Sequence, residues 1–202
     1  MCILRIHHIT HIDNLDGIIK NGILPRNILN KDNKNYKDTA DPKIISEREV
    51  LNLNEYIPFH INSIQEKHGI AYKYQVCKDI GKEFFIVLSL NFSNYNQEIN
   101  KLYLYHPVSS LRREITNLSD YINKINEEYS KLPLNEYGYK DYRNNKVQEF
   151  FMSEVLIKNC VPFDRIDCIY VFNEETEKEV NKILEKYKDL KIKIEVDSNF
   201  FK

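Results

Sequence analysis

The sequence predicts an α+β domain, because short apolar runs typical of strands are mixed with amphipathic helical patterns and no regular strand–helix–strand repeat occurs. The chain has 202 residues, of which 42% are hydrophobic and 29% are charged. These values are ordinary for a globular protein, and the length allows most of the apolar surface to be buried. We therefore expect one domain over residues 1–202.

The strands are predicted from short runs rich in branched and aromatic residues. They cover residues 2–7, 55–62, 84–90, 101–106, 152–157, 167–172 and 191–196. The run at 84–90 is the most apolar stretch and is expected to be a central strand, whereas Pro58 indicates an edge or a strand start. A loop or turn of helix is expected at 63–70, and 71–77 fits a helix or a strand.

Helices are predicted where apolar residues recur at helical spacing between capping signals. They are expected at residues 13–21, 42–50, 109–129 (one or two helices) and 174–188. Gly22 is a suitable stop for the first helix, and Asp41-Pro42 supplies a cap and a first turn for the second. The polar stretches 25–41 and 132–146 lack this spacing and are predicted to be long loops.

Composition excludes several classes of function. The net charge of −1 provides no overall attraction to nucleic acid or membrane, so an anionic partner needs a local patch. The five glycines are too far apart for a dinucleotide-binding turn or a P-loop. The four cysteines form no Cys-x-x-Cys pair and indicate reduced thiols. No apolar run approaches the roughly 20 residues that span a bilayer. We expect a cytoplasmic monomer without a membrane anchor.

Glu154 stands inside the apolar run 152–157, where an aliphatic residue is the ordinary choice. In a strand, Met152, Glu154 and Leu156 share one face, so Glu154 looks into whatever cavity that face lines. The alternative is an exposed face, the usual situation of an isolated glutamate in a strand. Arg48, on the helix predicted at 42–50, would by itself be expected to be a solvated surface charge.

Three histidines, His7, His8 and His11, lie close together at the end of the first predicted strand. They could be metal ligands, but no cysteine or spaced acidic cluster completes a coordination sphere, and a structural role has more weight. In a third interpretation, His8 and Thr10 point the same way and bind a small polar ligand next to a helix N-terminus, which would suit a dinucleotide. We predict no metal site.

The loop predicted at 132–146 alternates aromatic and basic residues. They are Tyr137, Tyr139, Lys140, Tyr142, Arg143 and Lys146. Unpaired bases bind such surfaces by stacking on the rings and by attraction of the phosphates to the cations. An ordinary exposed loop in a tyrosine-rich chain would look similar, but this loop leads directly into the stretch that holds Glu154. We predict that it binds single-stranded DNA.

Four motifs occur in an order that is characteristic of one protein family. They are Ile6-His7-His8-Ile9-Thr10-His11-Ile12-Asp13-Asn14-Leu15 with Gly22-Ile23-Leu24-Pro25, Asp41-Pro42-Lys43-Ile44-Ile45-Ser46-Glu47-Arg48, Tyr56-Ile57-Pro58-Phe59, and Glu154-Val155-Leu156-Ile157 with Val161-Pro162 and Ile166. In these motifs, which span nearly the whole chain, the sequence resembles DarT. DarT proteins are bacterial toxins that ADP-ribosylate bases of single-stranded DNA with NAD as the donor.

The resemblance implies an ADP-ribosyltransferase-like fold, with a split mixed β-sheet core, flanking helices and long substrate loops. It implies Glu154 and Arg48 as catalytic residues, with Gln148-Glu149 as a rival match that fits the downstream motif less well. It implies NAD as a substrate and a macrodomain antitoxin, DarG-like, as a partner. The implied NAD-binding residues are His8, Ile9, Thr10, Gly17, Leu24 and Arg48.

These residue types also suit the chemistry on physical grounds. Breaking the bond between nicotinamide and ribose develops positive charge on the ribose, and a carboxylate such as Glu154 lowers that barrier. A guanidinium such as Arg48 binds phosphate or an activated base better than an ammonium group. Two alternatives remain open: the same fold acting on RNA or protein, and a non-catalytic module that binds single strands. The sequence does not decide between thymidine and guanosine as the target.

Overall fold

A computed structural model of the chain describes residues 5–32, 36–61, 79–92 and 100–201. The loop predicted at 63–70 and the helix or strand predicted at 71–77 lie outside the described residues. The start of the strand predicted at 2–7 also lies outside them, although its remainder is present.

The described residues contain eight strands and six α-helices. The strands are β1 (Arg5–His11), β2 (Tyr56–Ile61), β3 (Phe85–Asn91), β4 (Asn100–Leu104), β5 (Arg113–Ile115), β6 (Glu154–Lys158), β7 (Cys168–Val171) and β8 (Lys193–Val196). The helices are α1 (Leu15–Asn21), α2 (Arg26–Lys31), α3 (Pro42–Val50), α4 (Leu118–Lys131), α5 (Asn145–Phe151) and α6 (Glu174–Leu184). Of these helices, none is long and apolar enough to cross a membrane.

All eight strands form one mixed sheet in the order β5-β4-β6-β2-β1-β3-β7-β8. Every described neighbouring pair is antiparallel except β7 and β8, which are parallel. β3 lies near the centre, as its apolar sequence predicted, and is buried along most of its length. The predicted α+β class is confirmed.

The sheet is split between β1 and β2. These strands pair only at Ile6 with Ile61 and at His7 with His60, and they separate beyond that point. Pro58 lies on the separated part of β2 and has no N–H to offer to β1. β2 is nevertheless an interior strand, because its other side pairs with β6. The edge position that Pro58 suggested is therefore wrong, and the proline instead borders the gap.

Helices cover one face of the sheet, and the C-terminal segment covers part of the other. The largest core cluster joins strand residues such as Ile6 and Phe59 to side chains from α1, α4, α5 and α6. A second cluster, on the opposite face, contains Ile9, Phe85, Val87, Phe200 and Phe201. Because side chains alternate along β1, Ile6 and Ile9 belong to different clusters.

Two long segments are more structured than predicted. The stretch 25–41 contains α2, which begins at Arg26 after the extended residue Pro25. The predicted loop 132–146 ends where α5 begins, because Asn144 accepts a hydrogen bond from the Lys146 N–H and caps the helix. The buried side of α5 is formed by Val147, Phe150 and Phe151. The strand expected at 152–157 therefore starts only at Glu154.

The segment 109–129 was predicted to be one or two helices, and only its second half is helical. Arg113–Ile115 forms β5, with Leu102 of β4 opposite Ile115. The helical spacing of Leu111 is accidental, since this residue is 40% exposed. α4 starts after Asn117, whose side chain accepts hydrogen bonds from the Ser119 and Asp120 N–H groups. A strand partner, which the sequence does not reveal, overrides the local pattern here.

Candidate active site

A cavity of about 420 Å³ opens where β1 and β2 separate. Its walls come from β1, α1, α2, the segment 36–40, α3 and β2, and Glu154 of β6 also lines it. Every residue that was predicted to bind NAD or to act in catalysis contributes to this lining: His8, Ile9, Thr10, Gly17, Leu24, Arg48 and Glu154. The size is within the usual range for a small-molecule site.

Arg48 and Glu154 form a buried ion pair at this cavity. Arg48 Nη1 donates to Glu154 Oε2 over 2.7 Å, and Glu154 is only 2% exposed. Arg48 is buried too, so the exposed position expected for an arginine on a helix is wrong. Its second terminal nitrogen, Nη2, is buried and has no hydrogen-bond partner within the described residues. A buried hydrogen-bond donor normally has an acceptor, so Nη2 is positioned to donate to an acceptor atom of a bound ligand.

Two histidines that sequence reasoning missed flank Glu154. His60 of β2 is directly opposite Glu154 in the β2–β6 ladder. His106 follows β4, and its Nε2 lies 3.7 Å from Glu154 Oε1. Their positions depend on strand register between distant segments, so no signal in the local sequence could have identified them. Burial lowers the pKa of His106, so its ring is neutral near pH 7.

Glu154 is ionised despite its burial. Burial by itself would raise the pKa of this carboxyl, but the charge of Arg48 and its hydrogen bond, with lesser contributions from the His60 and His106 rings, outweigh that effect. The pKa therefore lies below its ordinary value of 4.5. With His106 neutral, the Arg48 guanidinium is the fixed cation that keeps Glu154 negative. The cavity thus contains a carboxylate that is charged throughout the physiological range.

The Ser153 side chain fixes the start of β6. Its hydroxyl donates to the Phe150 carbonyl over 2.6 Å and accepts from the Tyr105 N–H over 3.0 Å. The Tyr121 hydroxyl donates to the Tyr103 carbonyl and also lies 3.5 Å from the Glu154 carbonyl. The backbone on both sides of the Glu154 side chain is therefore held by buried hydrogen bonds, which leaves the carboxylate little freedom to move.

His8 and Thr10 lie on the cavity face of β1, as predicted. His8 Nδ1 is 2.9 Å from the Pro58 carbonyl, which can only accept, so Nδ1 carries the hydrogen. In the neutral ring, Nε2 is then an acceptor. The Thr10 hydroxyl accepts from Asn14 Nδ2 over 2.9 Å, and the side chain of Ile9 packs on the opposite face, so Ile9 borders the cavity with its backbone.

The histidine cluster of β1 does not converge on one point. His7 packs against Tyr170 and Phe200 on the covered face, whereas His8 reaches across the gap to Pro58. His11 stacks on Phe84 and accepts a hydrogen bond from the Asp13 N–H. Within the described part of the chain, no group of three or more His, Cys, Asp or Glu side chains is arranged to hold a metal ion.

The aromatic and basic loop has a fixed shape. Asn135 Oδ1 accepts from the N–H groups of Tyr137 and Tyr139, and Gly138 has a φ of +81°, which favours glycine. Tyr137 and Tyr139 are 75% and 67% exposed. The loop thus presents two rings to solvent on a backbone that is already ordered. Like the rest of this loop, neither ring lines the cavity.

The other predicted DNA-binding residues divide into two groups. Arg143 is exposed, and Lys146 is partly exposed with its Nζ 3.7 Å from Glu128. Lys140 is buried, with its ammonium 4.5 Å from the centre of the Tyr129 ring, and Tyr142 stacks on Phe151 at 5.2 Å. Lys140 and Tyr142 therefore hold the loop against α4 and α5, and this placement does not present them to a DNA strand.

The DarT family model, described as ssDNA thymidine ADP-ribosyltransferase, matches residues 7–202. The chain belongs to the DarT family. Membership makes it an ADP-ribosyltransferase, as the four motifs indicated, and excludes the non-catalytic binding module. No curated protein sequence matches it significantly.

Solved DarT structures have the same fold. DarT from Thermus sp. 2.9 in complex with ADP-ribosylated ssDNA has a TM-score of 0.74 and 19% identity, covering 98% of this chain and 96% of that one. The same protein in complex with NAD+ has a TM-score of 0.70 and 19% identity, with coverages of 98% and 97%. DarTG from Thermosipho africanus in complex with ADP-ribose has a TM-score of 0.73 and 17% identity. The match covers 98% of this chain and 50% of that DarTG chain, so this chain spans half of its length.

Proposed function

We propose that the chain transfers ADP-ribose from NAD to thymidine in single-stranded DNA, with Glu154 as the catalytic carboxylate. The observation that supports this assignment is the buried pair at the cavity, in which Arg48 holds Glu154 in its ionised form. Burial of an ionised carboxylate costs free energy unless a specific cation compensates its charge. Carboxylates in such environments occur preferentially at functional sites. Glu149, the rival carboxylate, does not line the cavity.

The reaction follows from the position of this charge. When the bond between nicotinamide and ribose breaks, nicotinamide leaves with the electron pair and positive charge develops on the ribose. Glu154 stabilises that charge, and the acceptor base then forms a bond to the same carbon and loses a proton. Arg48 Nη2, which is buried beside the carboxylate, is the donor that would contact substrate. We infer that this route requires no metal ion and no covalent intermediate with the protein.

The donor site is assigned to the cavity face of β1 and its surroundings. His8 offers a ring acceptor, and Thr10 offers a hydroxyl whose oxygen is already oriented by Asn14. Ile9 contributes its backbone, and Gly17 and Leu24 form part of the cavity wall on the α1 side. These groups suit the amide and hydroxyl groups of a nucleotide, which need a few well-placed polar partners in a largely apolar pocket.

The acceptor strand is assigned to the loop before α5. Tyr137 and Tyr139 are exposed and preordered, so they can stack on bases at low entropic cost. The exposed Arg143 and the partly exposed Lys146 are the cations that follow them. Lys140 and Tyr142 act indirectly, by supporting the loop. This division narrows the DNA contact predicted from the sequence to four residues.

We further propose that the chain, as one domain in the cytoplasm, acts as the toxin of a toxin–antitoxin pair. The DarTG chain of T. africanus, of which this chain spans half, was solved with ADP-ribose. A macrodomain partner that removes ADP-ribose from DNA would make the modification reversible. Co-expression of such a macrodomain should restore growth of cells that express the wild-type chain, and continued growth arrest would count against the pairing.

The catalytic assignment is tested by the mass of oligonucleotides incubated with NAD. Thymidine-containing strands should gain one ADP-ribose with the wild-type chain and none with Glu154→Ala or Glu154→Gln. Glu154→Gln keeps the shape and hydrogen bonds of the side chain, so its loss of activity isolates the charge. Glu149→Ala is the matched control and should stay active. Modification by Glu154→Gln at the wild-type rate would overturn the assignment, as would inactivity of Glu149→Ala with an active Glu154→Ala.

The DNA assignment is tested at Tyr137 and Tyr139. Each change to Ala should weaken binding of a single strand by about 1 to 3 kcal/mol, with NAD affinity unchanged. Tyr187→Ala, which removes a ring outside the loop whose hydroxyl donates to Asp16, is the control. Activity on DNA should also fall as salt rises, because phosphate contacts release counterions. Equal oligonucleotide affinity for wild type and both loop variants would remove this loop from the substrate site.

A further inference from the structure

The described residues that line the cavity include three cations, Arg26, Lys37 and Arg48, and each has a carboxylate partner. Arg48 is paired with Glu154. Lys37 Nζ is 2.8 Å from Asp13, and both of these side chains are 58% exposed. Arg26 is paired with Asp38, and its side chain is only 20% exposed. An anionic ligand that pairs with one of these three cations therefore competes with a carboxylate that already contacts it.

Arg26 has the geometry that an anion of this kind requires. Its two terminal nitrogens contact the two carboxylate oxygens of Asp38, with Nη2 at 3.0 Å from Oδ1 and Nη1 against Oδ2. The Tyr36 hydroxyl donates to the same Oδ2 over 3.2 Å. This is the side-by-side arrangement in which a guanidinium also binds two oxygens of a phosphate group. Asp38 thus occupies a ready-made oxyanion position.

The other two cations are less suited to that position. The Arg48 guanidinium is engaged with the carboxylate that the reaction needs, and moving it would allow burial to raise the pKa of Glu154. Lys37 is a solvent-exposed point charge without a planar fork. The diphosphate of NAD carries two negative charges, and a half-buried, bidentate cation binds them more strongly than an exposed ammonium group.

The segment that carries Asp38 is attached beside the cavity. The Asn14 side chain accepts from the Lys37 N–H over 2.8 Å and donates to the Lys37 carbonyl over 3.0 Å. Asn14 also donates to the Thr10 hydroxyl, so this segment is tied to the donor-binding face of β1. If the Asp38 side chain rotates away from Arg26, it also gives up the hydrogen bond that its Oδ1 accepts from the Ala40 N–H over 3.0 Å, while the backbone at Lys37 keeps its place.

We propose that Arg26 anchors the diphosphate of the donor and that Asp38 competes with this diphosphate for the Arg26 guanidinium. The inference rests on the proposed function, since it assumes NAD as the ligand of this cavity. It predicts that removing one or the other member of this ion pair changes the affinity for the ligand in opposite directions. Removing the guanidinium weakens binding of a diphosphate, whereas removing the competing carboxylate strengthens it.

Calorimetric titration with ADP-ribose tests this directly and requires neither DNA nor turnover. Arg26→Ala should weaken the affinity by about tenfold or more, and Asp38→Asn should strengthen it by a few-fold to about tenfold. Arg26→Lys keeps the charge without the fork and should give an intermediate value. Lys20→Ala, which removes the exposed Lys20–Asp16 pair of α1, is the control and should bind as the wild type does. Adenosine binding, followed by ligand-observed NMR, should be equal in all variants.

The double variant separates competition from a structural role. If Asp38 acts only through Arg26, the gain in ADP-ribose affinity from Asp38→Asn should vanish when Arg26→Ala is also present. Weaker or unchanged ADP-ribose binding by Asp38→Asn, with an unfolding temperature equal to that of the wild type, would overturn the inference. A wild-type chain that binds ADP-ribose, with Arg26→Lys and Arg26→Ala binding equally well, would also overturn it and leave the proposed function intact. Absence of ADP-ribose and NAD binding by the wild type would overturn both.

Discussion

The two faces of β1 carry similar residues and do different work. His7 lies between aromatic rings on the covered face, 5.0 Å from the centre of Phe200 and 6.2 Å from that of Tyr170. His8, the next residue, faces the cavity and contacts the Pro58 carbonyl across the split in the sheet. Strand alternation alone assigns one imidazole to the core and the next to the site.

The buried environment of His7 has a large effect on its pKa. Burial, with further contributions from the charges of Arg5 and His60, lowers the pKa of His7 to about 3. His7 is therefore neutral wherever the protein functions, and its role is packing. Glu154 lies on the same face of the sheet as His7, since His7 is opposite His60 and His60 is opposite Glu154, yet it is ionised because Arg48 reaches it. What distinguishes these two buried groups is the presence of a compensating charge.

The largest expected effect is that of Arg48→Ala, which removes that compensating charge. Breaking a buried pair typically costs about 3 to 5 kcal/mol of unfolding free energy. In the wild type, Glu154 has a pKa below 4.5, so activity should persist down to acidic pH and fall only below that value. Without Arg48, burial raises the pKa, and activity should be lost at higher pH as the carboxyl gains a proton. Rates measured between pH 4 and 9 by oligonucleotide mass check this.

Arg48→Lys is the companion variant, since it keeps the positive charge and loses the planar, bidentate guanidinium. The acidic pH at which its activity falls should stay near that of the wild type, with a lower rate at every pH. A wild-type pH profile for Arg48→Ala would show that another group keeps Glu154 ionised.

Next is Phe200→Ala on the covered face, which should cost about 3 to 5 kcal/mol in unfolding free energy because a buried ring is lost. ADP-ribose affinity should be unchanged at temperatures where the variant is folded. Phe84→Ala is the matched control: this ring is 44% exposed, and its removal should cost about 1 kcal/mol or less. Urea unfolding and calorimetry measure the two quantities. Loss of affinity with Phe200→Ala would mean that the faces are coupled.

A smaller effect is expected for His7→Phe, which keeps an aromatic ring and removes the titration. Between pH 8 and pH 5, the unfolded histidine gains a proton and the buried one does not, so the folded state loses stability as pH falls. From the two pKa values, this loss is about 2 kcal/mol at pH 5. The wild type should therefore lose about 2 kcal/mol more than His7→Phe over this interval. Parallel stability profiles for the two proteins would contradict the low pKa of His7.

The smallest expected effect is that of Thr10→Val on the cavity face. It removes the acceptor for Asn14 Nδ2, which keeps its bond to the Lys37 carbonyl, so the cost in stability should be about 1 kcal/mol. Thr176→Val, which removes a hydroxyl bonded to the Glu83 carbonyl, should cost a similar amount. Only Thr10→Val should weaken ADP-ribose binding. Equal affinities for the two variants would show that the Thr10 hydroxyl does not contribute to the donor site.

Local signals predicted much of the fold. Asp41 caps α3 by accepting from the Lys43 N–H at 2.7 Å, as the Asp-Pro pair predicted. Gly22 ends α1 with a φ of +76°, and a Cβ there would lie 2.5 Å from Cys160 Sγ. The motif residues of β1, α3 and β6 also converge on one cavity, as the family resemblance implied. Such signals operate within a few residues of each other, which is why a sequence displays them.

The tertiary structure alone decided the environment of these residues. Arg48 and Glu154 are 106 positions apart, so neither the burial of the arginine nor the ion pair is visible in either segment. His60 and His106 reach Glu154 through strand register, and Lys140 is buried because α4 supplies a ring beneath it. The sequence by itself determined which residue types carry the chemistry and where helices are capped. Charge, exposure and partnership depend on segments that meet only when the sheet forms, because electrostatic energies and burial are set by distance in space.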